Sequence, residues 1–231
     1  MTSRSFVVAI DGPAASGKGT LARRLAEHFG LAHLDTGTLY RATALGVLDA
    51  GGDPADPAVA AMAAGRVGLP ALADPRLRGE RVAAASSVVA AHPAVRRILL
   101  QFQRDFAAHP PALAAGKTAN GAVLDGRDIG AVVCPLADLK LFLTADVAVR
   151  AKRRVEELRA RGAAAIYQDV LQDLTERDAR DSARRDAPLS VAPDAMIIDT
   201  TALDADAVLE RVAGITTRAL AQREFKEKEW L

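Results

Sequence analysis

The 231-residue sequence has a single cysteine, Cys134, so no intrachain disulfide can form, and the apolar residues around it suggest a buried thiol rather than a nucleophile. Long apolar runs are missing from its start. Met1-Thr2-Ser3-Arg4-Ser5 leads into only five apolar residues, Phe6 to Ile10, before Asp11, too few for a secretory core or a membrane span. Both absences point to a reducing cytoplasmic setting without export. The four histidines, His28, His33, His92 and His109, show no ligand spacing with one another or with Cys134, which argues against a structural zinc site. An excess of either charge is missing as well. Lys plus Arg number 30 against 29 Asp plus Glu, so nothing overall draws the chain to nucleic acid or to a membrane surface.

What is present is Gly12-Pro13-Ala14-Ala15-Ser16-Gly17-Lys18-Gly19-Thr20, directly after the apolar run. Glycines let the backbone curl so that N–H groups converge on phosphate oxygens, Lys18 adds a mobile positive charge, and the following helix offers its N-terminus. The surroundings fit a phosphate-binding loop: an apolar strand before, and after it Leu21, Ala22, Leu25 and Phe29 on one helical stripe ended by Gly30. The usual loop has Ser or Thr directly after Lys to hold magnesium. Here Gly19 stands there and Thr20 follows, a form that points toward small-molecule phosphotransferases and leaves Thr20 as a metal-ligand candidate. Gly116-Lys117-Thr118 repeats the triplet without the earlier glycine or a preceding strand, and reads as a solvated loop.

Length allows one sizeable α/β core with insertions. Five apolar segments alternate with helical patterns as in a parallel sheet covered on both faces: Phe6–Ile10, Ala32–Leu34, Ala122–Leu124, Leu139–Leu143 and Ala195–Ile198. Asp11, Asp35, Asp125, Thr144 and Asp199 then fall at the carboxyl edge, where open α/β sheets bind ligands. The fold class expected is a three-layer α/β phosphate-loop fold, with residues 1–37, 122–158 and 176–231 as its core. Residues 38–121, rich in Ala with helical periodicity, form an insertion. Within it, 70–79 reads as an irregular or hairpin segment, followed by helices over 81–91 and 93–107. A second excursion, 159–175, reads as a short lid hinged at Arg161-Gly162, and 204–231 as one terminal helix.

Three further clusters sit at the same edge. Asp35-Thr36-Gly37-Thr38-Leu39-Tyr40-Arg41 can aim the Thr36 hydroxyl and the Arg41 guanidinium at one anion, or simply cap a helix at Thr36 or Thr38. Asp125-Gly126-Arg127-Asp128 supplies Asp125 for a magnesium-bound water and Arg127 for a bidentate phosphate clamp. In Glu176 to Arg185, residues Arg177, Arg180, Asp181 and Arg184 share a helical stripe, with Asp178 and Arg185 off it.

Assembled, these motifs resemble the bacterial cytidylate kinases of the nucleoside-monophosphate kinase group, over nearly the whole chain. The resemblance rests on Asp11-Gly12-Pro13 with Gly17-Lys18-Gly19-Thr20, Asp35-Thr36-Gly37 with Tyr40-Arg41, Asp125-Gly126-Arg127-Asp128, and Glu176-Arg177-Asp178 with Arg180-Asp181, Arg184 and Ala187-Pro188-Leu189. It implies transfer of the ATP γ-phosphoryl group to CMP or dCMP with Mg2+, by a cytoplasmic enzyme, expected to be a monomer, that binds neither nucleic acid nor membrane. It further implies that Gly12 through Thr20 and Arg154 bind ATP, and that Thr36, Arg41 and Arg127 hold the acceptor phosphate. Cytosine falls to Ser87, Arg96 and Asp128, and the acceptor ribose and the phosphates to Arg177, Asp181 and Arg184 from the lid side. Lys18, Arg127, Arg177 and Arg184 are then the catalytic cations.

The chain departs from the family pattern in a shortened 67–79 segment and a bland Gly162-Ala163-Ala164-Ala165 lid. Rival readings are a phosphate-loop kinase for UMP, AMP or shikimate, and a nucleotide-dependent switch. The only asparagine is Asn120, so the switch would lack an Asn-Lys-x-Asp guanine-reading motif.

Overall fold

The computed structural model describes residues 4–183 and 189–229. Five strands, β1 (Phe6–Asp11), β2 (Ala32–Asp35), β3 (Gly121–Gly126), β4 (Leu139–Thr144) and β5 (Met196–Asp199), form one sheet in the order β2-β3-β1-β4-β5. All six residues of β1 and of β3 are buried, which is why both read as unbroken apolar runs rather than alternating ones. β1 pairs in parallel with β3, Ile10 opposite Asp125 and Asp11 opposite Gly126, and with β4, Asp11 opposite Phe142. β4 pairs with β5, setting Thr144 beside Asp199. The polar residues that end the strands therefore line one edge, as expected.

The helices of this part are α1 (Lys18–Phe29), α6 (Val147–Ala160), α7 (Tyr167–Ser182) and α8 (Ala205–Glu229). On one face Val8 and Ile10 pack with Leu21 and Leu25 of α1 and Val208, Val212 and Ile215 of α8. A second cluster joins Ala14 to Ala151 and Val155 of α6 and to Val170 and Leu174 of α7. Burial of these side chains, at about 25 cal/mol per Å² of apolar surface, is what holds the layers together. Arg161 ends α6 and Gly162 follows with φ 78°, so the chain turns where a hinge is expected.

Contacts divide the chain into two compact units, Met1–His33 with His109–Leu231, and Leu34–Ala108. The smaller unit holds α2 (Thr36–Asp49), α3 (Pro57–Ala64), α4 (Glu80–Val89) and α5 (Pro93–Ala108), with α2 packed on α3 and α4. Between α3 and α4 the structure has no hairpin. Two short 3-10 turns, Leu69–Ala73 and Pro75–Arg78, occupy the segment, with Pro70 and Pro75 opening them and Leu77 buried. Proline cannot donate to a strand ladder, and its fixed φ suits the first turn of such a helix. Cys134, expected buried, is half-buried, because it ends the wide π-helical turn Ile129–Val133 instead of a core strand.

The backbone leaves β1 through Gly12, whose φ is 150°. A Cβ there would stand 2.2 Å from the Leu143 carbonyl oxygen of β4, a contact with backbone that no rotamer change can relieve. Gly12→Ala is therefore expected to lower stability by about 1–3 kcal/mol or more. The check is the urea midpoint, and an unchanged midpoint would mean the loop has a second path out of β1.

Candidate functional site

The loop from Gly12 to Gly17 carries three residues of positive φ, Gly12, Ala15 and Gly17. Gly17 stands at φ 90° as the N-cap of α1, and Ala15, at φ 59°, is the one residue other than glycine with positive φ among those described. No side chain caps α1 and its first turn holds no acidic residue, so the positive end of the helix dipole is left for an anion. Lys18 folds back to donate from Nζ to the Pro13 carbonyl at 3.1 Å, placing its charge over the loop. The loop is braced from outside. Thr200 Oγ1 donates to the Ser16 carbonyl at 3.2 Å, and Arg150 Nη1 to the Ala14 carbonyl at 3.2 Å.

Beside the loop lies the end of β3. Asp125 is buried, its Oδ1 2.9 Å from His33 Nε2, and its Oδ2 is 3.7 Å from where a Cβ on Gly19 would stand. Carboxylate and hydroxyl oxygens suit a hard cation such as Mg2+, so Asp125 and the exposed Thr20 fit the role expected of them. Among the described residues no group of three or more His, Cys, Asp or Glu forms a metal cage.

Arg127 donates from Nε to Asp181 Oδ2 at 2.8 Å, linking the turn after β3 to α7. Two residues that the sequence placed 54 apart are thus joined. Asp128 is half-buried, while its backbone carbonyl accepts from the Val132 and Val133 N–H groups. That turn is fastened from β1. Asp11 accepts from the Ile129 N–H through Oδ1 and from the Gly130 N–H through Oδ2, both at 2.8 Å. Burial pushes the Asp11 carboxyl up to about 6, against the pull of those two donors and of Lys18.

In the smaller unit, Asp35 caps α2 by accepting from the Gly37 N–H at 2.9 Å, so the cap is Asp35 rather than Thr36 or Thr38. Thr36 is buried at the start of α2. Arg41 donates from Nη1 to the Leu77 carbonyl at 3.0 Å, so one of the short 3-10 turns supports it. Arg96 lies with Cζ 6.0 Å from the centre of the Tyr40 ring. Ser87 is exposed on α4, with Ser86 turned instead to the Ala83 carbonyl.

Of the lid-side residues, Arg177 is half-buried on α7 and Asp181 buried against Arg127, whereas Arg184 lies outside the described residues. Arg154 pairs with Glu157 at 2.8 Å, one turn along α6, and Glu157 also takes Arg161. Sequence reasoning missed the partners of Asp11, His33, Arg150 and Asp178. Asp11 belongs to the Asp11-Gly12-Pro13 motif, but no local motif shows what it, His33 or Arg150 binds, because each finds its partner only in the folded chain. Asp178 stands beside Arg177 but off the helical stripe of Arg177, Arg180, Asp181 and Arg184.

A parallel sheet whose first strand runs into such a loop, with an uncapped helix behind it and a carboxylate from the neighbouring strand alongside, defines a phosphate-loop nucleotide-binding protein. The chain belongs to the cytidylate kinase family, whose sequence profile matches residues 8–218. A cytidylate kinase of Rhodospirillum rubrum is 55% identical over 205 residues, 88% of this chain and 93% of that protein. One from Paramagnetospirillum magneticum is 54% identical over 211 residues, 91% of this chain and 97% of the relative. Among solved structures, an uncharacterized protein from Eubacterium ventriosum aligns with a TM-score of 0.50 at 13% identity, covering 91% of this chain and 97% of that one, a likeness of fold alone.

The state of Asp11 can be read from stability. Its folded pKa of about 6 lies above the ordinary 3.8, so the folded chain holds this proton more tightly than the unfolded one. The contribution is full below about pH 4 and is lost as pH rises through about 6. Asp11→Asn, which takes up no proton there, is expected to flatten the decline of the urea midpoint between those values. Parallel curves for the two proteins would contradict a buried, proton-holding Asp11.

Proposed function

We infer that the chain transfers the γ-phosphoryl group of ATP to the 5′-phosphate of CMP and dCMP, giving ADP with CDP or dCDP. The observation that carries this reading is the phosphate loop, with Lys18 folded over it and an open α1 N-terminus, in a chain that is 55% identical over 205 residues to a cytidylate kinase. Gly12 through Thr20 are assigned to the ATP phosphates and Arg154 to the donor side. Magnesium, arriving with ATP, supplies neutralisation of phosphate oxygens, and Asp125 through water and Thr20 are the donors assigned to it.

The acceptor phosphate is anionic near neutral pH, so its oxygen attacks without a general base. What remains is positioning and neutralisation of charge. Lys18, Arg127, Arg177 and Arg184 are assigned that work, with Arg127 already oriented by Asp181 before any ligand binds. Thr36, Arg41 and Arg127 are assigned to the acceptor phosphate, and Arg177, Asp181 and Arg184 to its ribose and to the phosphates. The 159–175 segment acts as a lid that excludes water, which would otherwise hydrolyse ATP. The insertion 38–121 carries Arg41, Ser87 and Arg96, and Thr36 precedes it in the smaller unit. The partners are free nucleotides, and the working state is a cytoplasmic monomer. No described helix is long and apolar enough to cross a membrane.

Base choice is assigned to Ser87, Arg96 and Asp128. Cytosine offers an exocyclic amine that Asp128 can accept, and ring acceptors that Arg96 can serve. Uracil would set its O4 against the same carboxylate, acceptor facing acceptor. Asp128→Ala is expected to narrow the CMP-over-UMP ratio of kcat/KM by about 1–3 kcal/mol. An unchanged ratio would remove Asp128 from base reading.

The reading as a whole is tested by ADP formation with Mg-ATP and, in turn, CMP, dCMP, UMP, AMP, GMP, shikimate and no acceptor. Selective stimulation by CMP and dCMP is expected. Equal ADP without acceptor would favour a nucleotide hydrolase, and selective use of another acceptor would replace the substrate.

A further inference from the structure

Arg150 stands in the first turn of α6, almost fully buried, and its guanidinium reaches three separate parts of the chain. Nε donates to the Ala145 carbonyl at 2.9 Å, Nη1 to the Ala14 carbonyl in the phosphate loop at 3.2 Å, and Nη2 pairs with Asp178 Oδ2 on α7 at 2.6 Å. The Ala14 methyl packs in the same α6 and α7 cluster. Among the described residues the other Asp178 oxygen, Oδ1, is buried and accepts no hydrogen bond, so Arg150 is the group that balances this carboxylate.

The bond to Ala14 bears on phosphate binding through peptide geometry. A trans peptide is planar, so the Ala14 carbonyl and the Ala15 N–H point in opposite directions. Arg150, drawing the carbonyl toward α6, turns the Ala15 N–H away from it. Ala15 is also the residue held at φ 59°, a left-handed conformation that costs an L residue with a Cβ and persists where neighbours impose it. The far end of the same guanidinium holds Asp178, whose chain neighbour Arg177 and whose next-turn neighbour Asp181 are assigned to the acceptor and the phosphates.

We propose that Arg150 is a positioning residue that sets the Ala14–Ala15 peptide for phosphate and, through Asp178, ties the phosphate loop to the helix carrying Arg177 and Asp181. The assignment rests on the kinase reading above and names a part of that site for which no motif accounts. A buried ion pair is a costly way to gain stability alone, since apolar side chains of the same volume do as well or better. The fork geometry of arginine, unlike the point charge of lysine, serves three fixed acceptors at once.

The test uses three variants of the full chain, and reads the affinity for a fluorescent, non-hydrolysable ATP analogue without acceptor, kcat and KM with CMP, and the thermal midpoint. Arg150→Lys is expected to weaken ATP-analogue affinity and to lower kcat, each by about tenfold or more, with KM for CMP little changed. Asp178→Asn keeps the bond to Ala14, and is expected to retain analogue affinity while lowering kcat by about tenfold. The double variant Arg150→Met with Asp178→Leu removes both charges. It is expected to regain the parent's thermal midpoint without regaining analogue affinity.

Parental affinity in Arg150→Lys, or affinity restored along with stability in the double variant, would overturn the proposal and leave the pair as packing. Parental kcat in Asp178→Asn would overturn the tie to α7. Because analogue binding is read without acceptor, it separates the two levels. A parent chain inactive on CMP would sink the kinase reading, while an active parent with an Arg150→Lys variant indistinguishable from it would sink only this one.

Discussion

The parallel register of β1 with β3 and β4 is the constraint on which the rest depends. It brings Asp11, Gly126 and Phe142 level, so that the first strand ends between two neighbours with no space for a side chain at the next residue. Gly12 passes beneath the Leu143 carbonyl where a Cβ would collide, and the backbone is turned into the phosphate loop at that point. The loop's position is thus a consequence of strand order, since β1 is the strand flanked by chain that goes to either side of the sheet. Anion binding at the start of α1 then follows from a helix whose N-terminus has been left without a side-chain cap.

A second layer of order comes from carboxyl groups that find partners inside the protein. Asp11 spends both oxygens on the Ile129 and Gly130 N–H groups, Asp125 meets His33, Asp181 holds Arg127 and Asp178 holds Arg150. Each pair joins segments distant in sequence, and each sits at the carboxyl end of the sheet. The two arginine pairs are poor sources of stability, because desolvation offsets most of their attraction. What they give is direction. Donors and cations fixed before the ligand arrives lose little energy to reorganisation when charge shifts in the transition state.

How much of this could be read beforehand differs by feature. The phosphate loop was legible because glycine spacing, Lys18 and an adjacent apolar run are all local, and β1 and β3 were legible because strands buried on both faces write themselves as apolar runs, while three of the four residues of β5 are exposed. Strand ends extended by a residue or two, as in Asp11 and Gly126, since the buried register continues through polar side chains. The segment after α3 was read as irregular or hairpin, and Pro70 and Pro75 settle it as two 3-10 turns. Asp11, His33 and Arg150 could not be given their contacts from sequence. Their partners lie 118, 92 and 136 residues away, and only the folded sheet brings them together. Arg127 with Asp181 is the intermediate case, both residues named from motifs but their pairing visible only in three dimensions.

The most direct test of the central claim follows the phosphoryl group itself. ATP labelled with heavy oxygen on its γ-phosphoryl group is incubated with CMP and the purified chain, and the products are resolved by mass. The account predicts the label in the terminal phosphate of CDP with little in free phosphate. Label recovered as inorganic phosphate, with CMP unchanged, would contradict it.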